Sequence, residues 1–219
     1  RSMIGSLMYL TSSRPDILFA VSICSRYQAH PKISHQKAVK RIFCYLKGKP
    51  SLGLWYSNED DFSLSAFSDS DYGGCNLSWK STTGGCQFLG SRLVSWQCKK
   101  QTTVSTSTAE AEYIAAASCC SQVLWIQHQL RDYGLLYTLT PIHIDNTAAI
   151  SIIRNPVQHS KTKHIEIRYH FIRDCYEKKL INLIRIDTLD QSADIFTKAF
   201  LKARFEELIS KLGMRTLDP

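Results

Sequence analysis

No stretch of this 219-residue chain approaches 18 consecutive apolar residues, so no segment reads as a membrane-spanning helix and a soluble protein is expected. No Cys-x-x-Cys pair occurs among the eight cysteines, at positions 24, 44, 75, 86, 98, 119, 120 and 175, and their spacing is irregular. That argues against a disulfide framework and a zinc site, and predicts buried free thiols in a reducing compartment, which points to an intracellular, cytoplasmic location. Neither an initiating methionine nor a signal peptide opens the chain. It starts at Arg1, and a piece cut from something longer is expected. Acidic side chains are nearly absent from the first 58 residues, where nine Lys and Arg stand against Asp16 alone. The other 161 residues carry 18 basic and 18 acidic side chains, so the whole net charge of +8 belongs to the first quarter. A basic module joined to a neutral one separates polyanion binding from whatever chemistry the acids perform.

With 44% hydrophobic residues the chain can bury a sizeable core, as one domain or one domain with a smaller appendage. Ser12-Ser13-Arg14-Pro15-Asp16 carries helix-start signals ahead of the apolar residues 17 to 27, and Pro31 stops that helix. A second helix is expected from Ser34 or His35 to Leu46, with Lys37, Lys40 and Arg41 on its charged side. From residue 60 the period changes to two, with Phe62, Leu64 and Ala66 alternating with Ser63, Ser65 and Phe67, predicting a strand that ends at Asp69. Further strands are expected at 85 to 89 and 93 to 97, joined by a Gly90-Ser91 turn, then a long Ala-rich helix over 109 to 130. A short strand over 141 to 145, helices over 146 to 153 and 164 to 178, a strand over 180 to 186 and a last helix over 191 to 212 complete the reading. Strands followed by alternating helices and strands describe an α/β mixed sheet with helices on its faces.

Four acids stand out. Asp69 and Asp145 close predicted strands, while Glu112 and Asp194 lie in predicted helices. Taken singly, each has an ordinary explanation as a turn, cap or helix-dipole residue. Converging in one cleft, they would repel strongly unless divalent cations neutralised them, and magnesium prefers such oxygen ligands. Two ions held this way clamp an in-line displacement at phosphorus, which points to phosphodiester hydrolysis.

The runs Phe67-Ser68-Asp69-Ser70-Asp71-Tyr72-Gly73-Gly74, Lys80-Ser81-Thr82-Thr83-Gly84-Gly85, Val94-Ser95-Trp96, Thr108-Ala109-Glu110-Ala111-Glu112-Tyr113, Ile144-Asp145-Asn146, Lys163-His164-Ile165-Glu166 and Ala193-Asp194-Ile195-Phe196-Thr197-Lys198 together resemble the ribonuclease H domain of copia-type retrotransposon Pol polyproteins. Ile4-Gly5-Ser6-Leu7-Met8-Tyr9-Leu10, Arg14-Pro15-Asp16, Lys40-Arg41-Ile42 and Tyr45-Leu46-Lys47-Gly48 resemble the thumb and connection segment that precedes it in those reverse transcriptases. The resemblance implies a ribonuclease H-like five-stranded mixed sheet flanked by helices over 59–200, a basic helical thumb/connection remnant over 1–58, and a C-terminal helix end and tail over 201–219. It also implies cleavage of the RNA strand of RNA-DNA hybrids with two Mg2+ or Mn2+ ions. The ligands it implies are Asp69, Glu112, Asp145 and Asp194, with Glu110 the second choice for the helix glutamate. The implied partners are an RNA-DNA hybrid and the upstream fingers and palm of the same polyprotein, with no membrane and no small-molecule cofactor.

Lys37, Lys40, Arg41, Lys99, Lys100, Lys161 and Lys163 are candidate backbone contacts for the hybrid, read through phosphates and 2′-hydroxyls without sequence preference. The stretch around His164 and His170 reads either as part of that basic strip or as a solvated helix face; zinc ligation through His159, His164, Glu166 and His170 fits no common spacing. The chain departs from cellular type 1 ribonucleases H in having no histidine over 181 to 193, so slow or polymerase-dependent turnover is expected. It has no Tyr-x-Asp-Asp motif, so DNA synthesis is excluded. The rivals are a DNA-acting enzyme of the same fold and a catalytically decayed or polymerase-dependent nucleic-acid-binding fragment.

Overall fold

A computed structural model describes residues 1–58, 61–155 and 162–216. His159, Lys161, the far side of the boundary expected after residue 58, and the last three residues of the tail lie outside the described residues. The chain opens with three helices, α1 (Ser2–Leu10), α2 (Leu18–Ser25) and α3 (Ile33–Gly48). Pro15 begins a 3-10 turn, Pro15–Ile17, that feeds α2, its fixed φ suiting a helix start. The Arg14 guanidinium donates to both oxygens of Asp16 at 2.9 and 2.7 Å, and Tyr45 of α3 donates to the same carboxylate at 2.8 Å. Ile4, Leu7, Ile17, Val21, Val39 and Ile42 pack between the helices as a small core. The periodic pattern did not announce α1 because its buried side is narrow: Ile4 and Leu7 face inward while Met8 and Tyr9 stay exposed.

The remaining elements are β1 (Leu52–Leu54), β2 (Leu64–Ser70), β3 (Thr82–Leu89), β4 (Arg92–Lys100), α4 (Thr108–Asp132), β5 (Thr140–Ile144), α5 (Thr147–Arg154), α6 (Phe171–Glu177), β6 (Ile181–Arg185), α7 (Lys202–Lys211) and β7 (Met214–Thr216). Five strands form one sheet in the order β4-β3-β2-β5-β6, with β2, β3 and β4 antiparallel and β5 and β6 parallel to β2. Gly90 turns β3 into β4 at φ +64°, a backbone state that glycine adopts without strain. The Ser107 hydroxyl caps α4 by accepting from the Glu110 N–H, and Ala115, Ala116 and Ala117, all fully buried, let the helix lie close on the sheet.

One face of the sheet packs Leu64, Ala66, Ile142, Ile144 and Leu183 against Tyr113, Val123, Ile150 and Ile172 of the helices. The other packs Cys86, Phe88 and Leu93 against Leu18, Phe196, Leu208 and Leu212. Leu18 belongs to this second core, so the N-terminal helices dock directly on the sheet. Trp96 Nε1 donates to the Thr11 carbonyl at 3.0 Å, and Arg26 donates to Thr82 Oγ1 at 2.9 Å. The segment after α3 also meets the C-terminal part of the chain: β1 pairs antiparallel with β7, Leu54 opposite Met214, a small sheet that the sequence pattern did not foretell.

Two expected helices are broken. The span 164 to 178 is a 3-10 turn at Ile167–Tyr169 followed by α6, and His164 precedes both. The span 191 to 212 divides into a 3-10 turn, Ser192–Phe196, and α7. At Thr197 φ departs to −122°, where the hydroxyl donates to the Asp69 carboxylate and to the Asp194 carbonyl, so tertiary bonds replace helix continuation. All eight cysteines are free; five are buried as expected, Cys24 and Cys98 are half-buried, and Cys44 is exposed because it lies on the outer side of α3. No helix among the described residues is long and apolar enough to cross a membrane.

Candidate active site

Neighbouring parallel strands end at the same sheet edge, and β2 and β5 are such neighbours. Asp69 is the penultimate residue of β2 and Asp145 directly follows β5, so both carboxylates emerge together. α4 lies across this edge and adds Glu112 from its second turn. One ligand oxygen from each of Asp69, Glu112 and Asp145 lies within 4.8 Å of the others. Asp69 is 1% exposed and Glu112 5%. Glu112 Oε1 accepts the Ser70 N–H at 3.0 Å, while its Oε2 is buried with no hydrogen-bond partner. Burial, reinforced by the charges of Asp69 and Asp145, pushes the Glu112 carboxyl well above the ordinary carboxylate range. Burial, then Asp69, raises Asp145 as well, against a bond that its Oδ2 accepts from Thr188 Oγ1 at 3.2 Å.

Asp194 reaches the site from the opposite face of the sheet, on the turn Ser192–Phe196. That turn lies against β3 at Gly84, the register partner of Asp69. A Cβ at Gly84 would stand 2.7 Å from Thr197 Cγ2 and 2.8 Å from the Ala193 carbonyl, so the glycine makes the approach possible. Gln191 donates to the Ser68 carbonyl at 2.9 Å and fixes the entry to the turn. Asp194 falls outside the three-carboxylate group and bonds instead to Lys198 Nζ at 2.7 Å, with Lys198 3.4 Å from Asp69 Oδ1. Burial, then Asp69, raises the Asp194 carboxyl to about 6, partly opposed by Lys198. Burial lowers Lys198, but Asp69 and Asp194 outweigh it and hold the ammonium above its usual range.

Glu110 is occupied elsewhere. Its Oε2 accepts the Thr106 N–H and hydroxyl at 2.7 and 2.8 Å and lies 3.1 Å from His164 Nε2. His170 Nδ1 pairs with the Tyr113 hydroxyl at 2.8 Å. The two histidines thus fasten the segment before α6 onto α4 on either side of Glu112. Among the described residues neither belongs to a group of metal ligands.

The candidate basic residues that the structure describes fall on several separate surfaces. Lys37 and Lys40 are exposed on α3, and Arg41 lines a cleft of about 460 Å³ together with Lys198. Lys99 and Lys100, at the end of β4, line a second cleft of about 230 Å³ with Thr83, Gln101 and Arg168. Lys163 is exposed. Sequence pattern gave no role to Gln101, Thr197 or Lys198. Gln101 Nε2 bonds Ser70 Oγ, Thr83 Oγ1 and the Ala111 carbonyl at 3.3, 3.1 and 3.0 Å, tying the end of β4 to β2, β3 and α4. No signal short of the fold exposes such a residue, whereas Thr197 and Lys198 stand inside a run that the resemblance had already marked.

A 4-3-2-5-6 mixed sheet, antiparallel on one side and parallel on the other, with an acidic cluster where its two central strands end, defines a ribonuclease H-like domain. No family model matches the chain. It is 39% identical to the retrovirus-related Pol polyprotein from transposon RE1 of Arabidopsis thaliana over the whole chain, which spans 15% of that polyprotein. Against the corresponding polyprotein from transposon TNT 1-94 of Nicotiana tabacum it is 35% identical over 98% of the chain and 16% of the relative. The chain belongs to the copia-type retrotransposon Pol polyproteins and spans about one sixth or less of the length of these relatives. Among solved structures, LC11-RNase H1, isolated from compost by a metagenomic approach, aligns with 68% of the chain and 97% of its own length at 12% identity and a TM-score of 0.43.

Proposed function

We propose that the chain is the ribonuclease H domain of a retrotransposon Pol polyprotein and hydrolyses the RNA strand of RNA-DNA hybrids with divalent metal. The observation that carries this reading is the group Asp69, Glu112 and Asp145, within 4.8 Å of one another and including a buried, unpartnered carboxylate oxygen. A buried acceptor without a donor costs on the order of 1 to 3 kcal/mol, and a hard cation removes that cost, so the donor set fits Mg2+ or Mn2+. Asp69 and Asp194 would hold a second ion. When bound, the metals supply an activated water and neutralise charge on the leaving oxygen.

The chain's own residues set the geometry for that chemistry. Ser70 N–H orients Glu112, Thr188 orients Asp145, and Thr197 and Lys198 orient Asp69. Arg41 beside Lys198, and Lys99 with Lys100 on the far side of β3, would hold backbone phosphates on either side of the acids, with Lys37, Lys40 and Lys163 further out. Residues 1–58 would serve as the thumb and connection remnant, gripping the duplex and meeting the polymerase part of the same polyprotein. The test is a substrate panel with magnesium: hybrid, unpaired RNA and duplex DNA at equal concentration. RNA cutting restricted to the hybrid is expected; cutting of duplex DNA would favour a DNA-acting enzyme of the same fold.

A further inference from the structure

The four acids divide into unequal halves. On one side Glu112 Oε2 has no partner and Asp145 takes a neutral hydroxyl from Thr188. On the other side both oxygens of Asp69 are engaged, Oδ2 by the Thr197 hydroxyl and Oδ1 by Lys198 Nζ at 3.4 Å. The same ammonium bonds Asp194 at 2.7 Å. Asp69 and Asp194 also face each other directly, and Lys198 bridges the pair where a cation shared by them would bind. Its side chain is 37% exposed and borders the cleft of about 460 Å³, so a displaced ammonium has open space to enter beside Arg41.

We propose that Lys198 is a built-in counter-cation that makes the acidic site fill with metal in two unequal steps. A divalent ion enters at the unpartnered Glu112 oxygen, beside Asp145 and Asp69, against only the long 3.4 Å contact of Lys198 with Asp69, whereas an ion between Asp69 and Asp194 must displace Lys198 from both carboxylates. This inference rests on the metal-site reading above and assigns Lys198 a positioning role. Two cations cannot share one pair of carboxylates at contact distance without strong repulsion, so occupancy of the second position depends on metal concentration. The displaced ammonium then faces the side on which Arg41 would meet phosphate, coupling full metal loading to an extra substrate contact.

The experiment is titration of the full chain with Mn2+ after chelation, read by electron paramagnetic resonance of free ion and by calorimetry. The wild type is expected to bind one ion, then a second about tenfold or more weakly, one unit charge at this range corresponding to at least that factor. Lys198→Met should strengthen the second step about tenfold and the first by clearly less, because the ammonium bonds Asp194 directly but reaches Glu112 and Asp145 only through its charge. Lys198→Gln, which keeps a hydrogen-bond donor to Asp194, carries the same expectation. Lys198→Arg restores the charge and should restore the wild-type separation, which a purely structural role would not predict. Equal affinities in the wild type, or a second step unchanged or weakened in both neutral variants, overturns the proposal. Failure of the underlying reading shows differently: the wild type then takes up no Mn2+ at all, and Asp145→Asn has no effect on the titration.

Discussion

Glu112→Gln removes one negative charge from the acidic cluster with almost no change of shape. The retained Oε1 still accepts from Ser70 N–H, and the new amide replaces the unpartnered Oε2. In metal-free protein at about pH 7.5 the wild-type carboxyl has two costly options. Staying ionised beside Asp69 and Asp145 costs about 3.5 kcal/mol for each neighbour at the 4.8 Å limit, with an effective dielectric of about 20. Taking up a proton roughly three pH units above its ordinary value of 4.5 costs about 4 kcal/mol, which caps the penalty. The glutamine escapes it, so the variant should be more stable by about 1 to 4 kcal/mol, or roughly 3 to 12 °C in Tm for a chain of this size. The folded-state carboxyl holds its proton more tightly than the unfolded one, so wild-type stability falls as pH rises from about 4.5 through the folded value. The gap between variant and wild type opens over that window and closes below it. Thermal melts by circular dichroism in EDTA, from about pH 4 to 8, measure it directly. Equal melting temperatures at every pH, or a destabilised glutamine variant at the alkaline end, would refute the reasoning. Adding magnesium should raise the Tm of the wild type by more than that of Glu112→Gln.

Gly84→Ala drives a methyl into Thr197 and the Ala193 carbonyl, which should cost about 1 to 3 kcal/mol and, by moving Asp194 and Lys198 off Asp69, lower hybrid cleavage at least about tenfold. Melts and single-turnover cleavage separate the two effects. Glu110→Gln weakens the bonds to Thr106 and His164 and should cost about 1 to 2 kcal/mol in stability, yet leave cleavage within about tenfold of wild type, whereas Glu112→Gln abolishes it. Lys99→Ala with Lys100→Ala should weaken hybrid binding equally for unrelated sequences and flatten the dependence of log K on log salt by about one for each phosphate no longer neutralised, read by anisotropy titration.

The sheet and its helices were legible because their signals are local. Alternation marked β2, the absence of Gly and Pro marked α4, and Gly90 marked the hairpin. The three clustered acids were legible because each follows or opens such an element. What the sequence hid depends on tertiary bonding. The last helix breaks at Thr197 because its hydroxyl finds Asp69, 128 residues away. β1 is three residues long and exists through pairing with β7, about 160 residues further along the chain. Asp194 reads as the fourth member of one cluster, but it joins through Asp69, outside the group that Asp69, Glu112 and Asp145 form, and Lys198 bonds both; that placement follows from the closeness of a turn to Gly84. The segment around His164 and His170 read as a helix face; its partners Glu110 and Tyr113 are visible only once α4 lies beside it.

The most direct test of the central claim is cleavage of an end-labelled RNA strand annealed to DNA, with magnesium, by the wild type and by Asp145→Asn at matched folding. Removing one of the three clustered carboxylates is expected to abolish cutting of the hybrid while leaving its binding intact. Undiminished cleavage by Asp145→Asn, or hybrid binding by the wild type with no cutting at any metal concentration, would contradict the account.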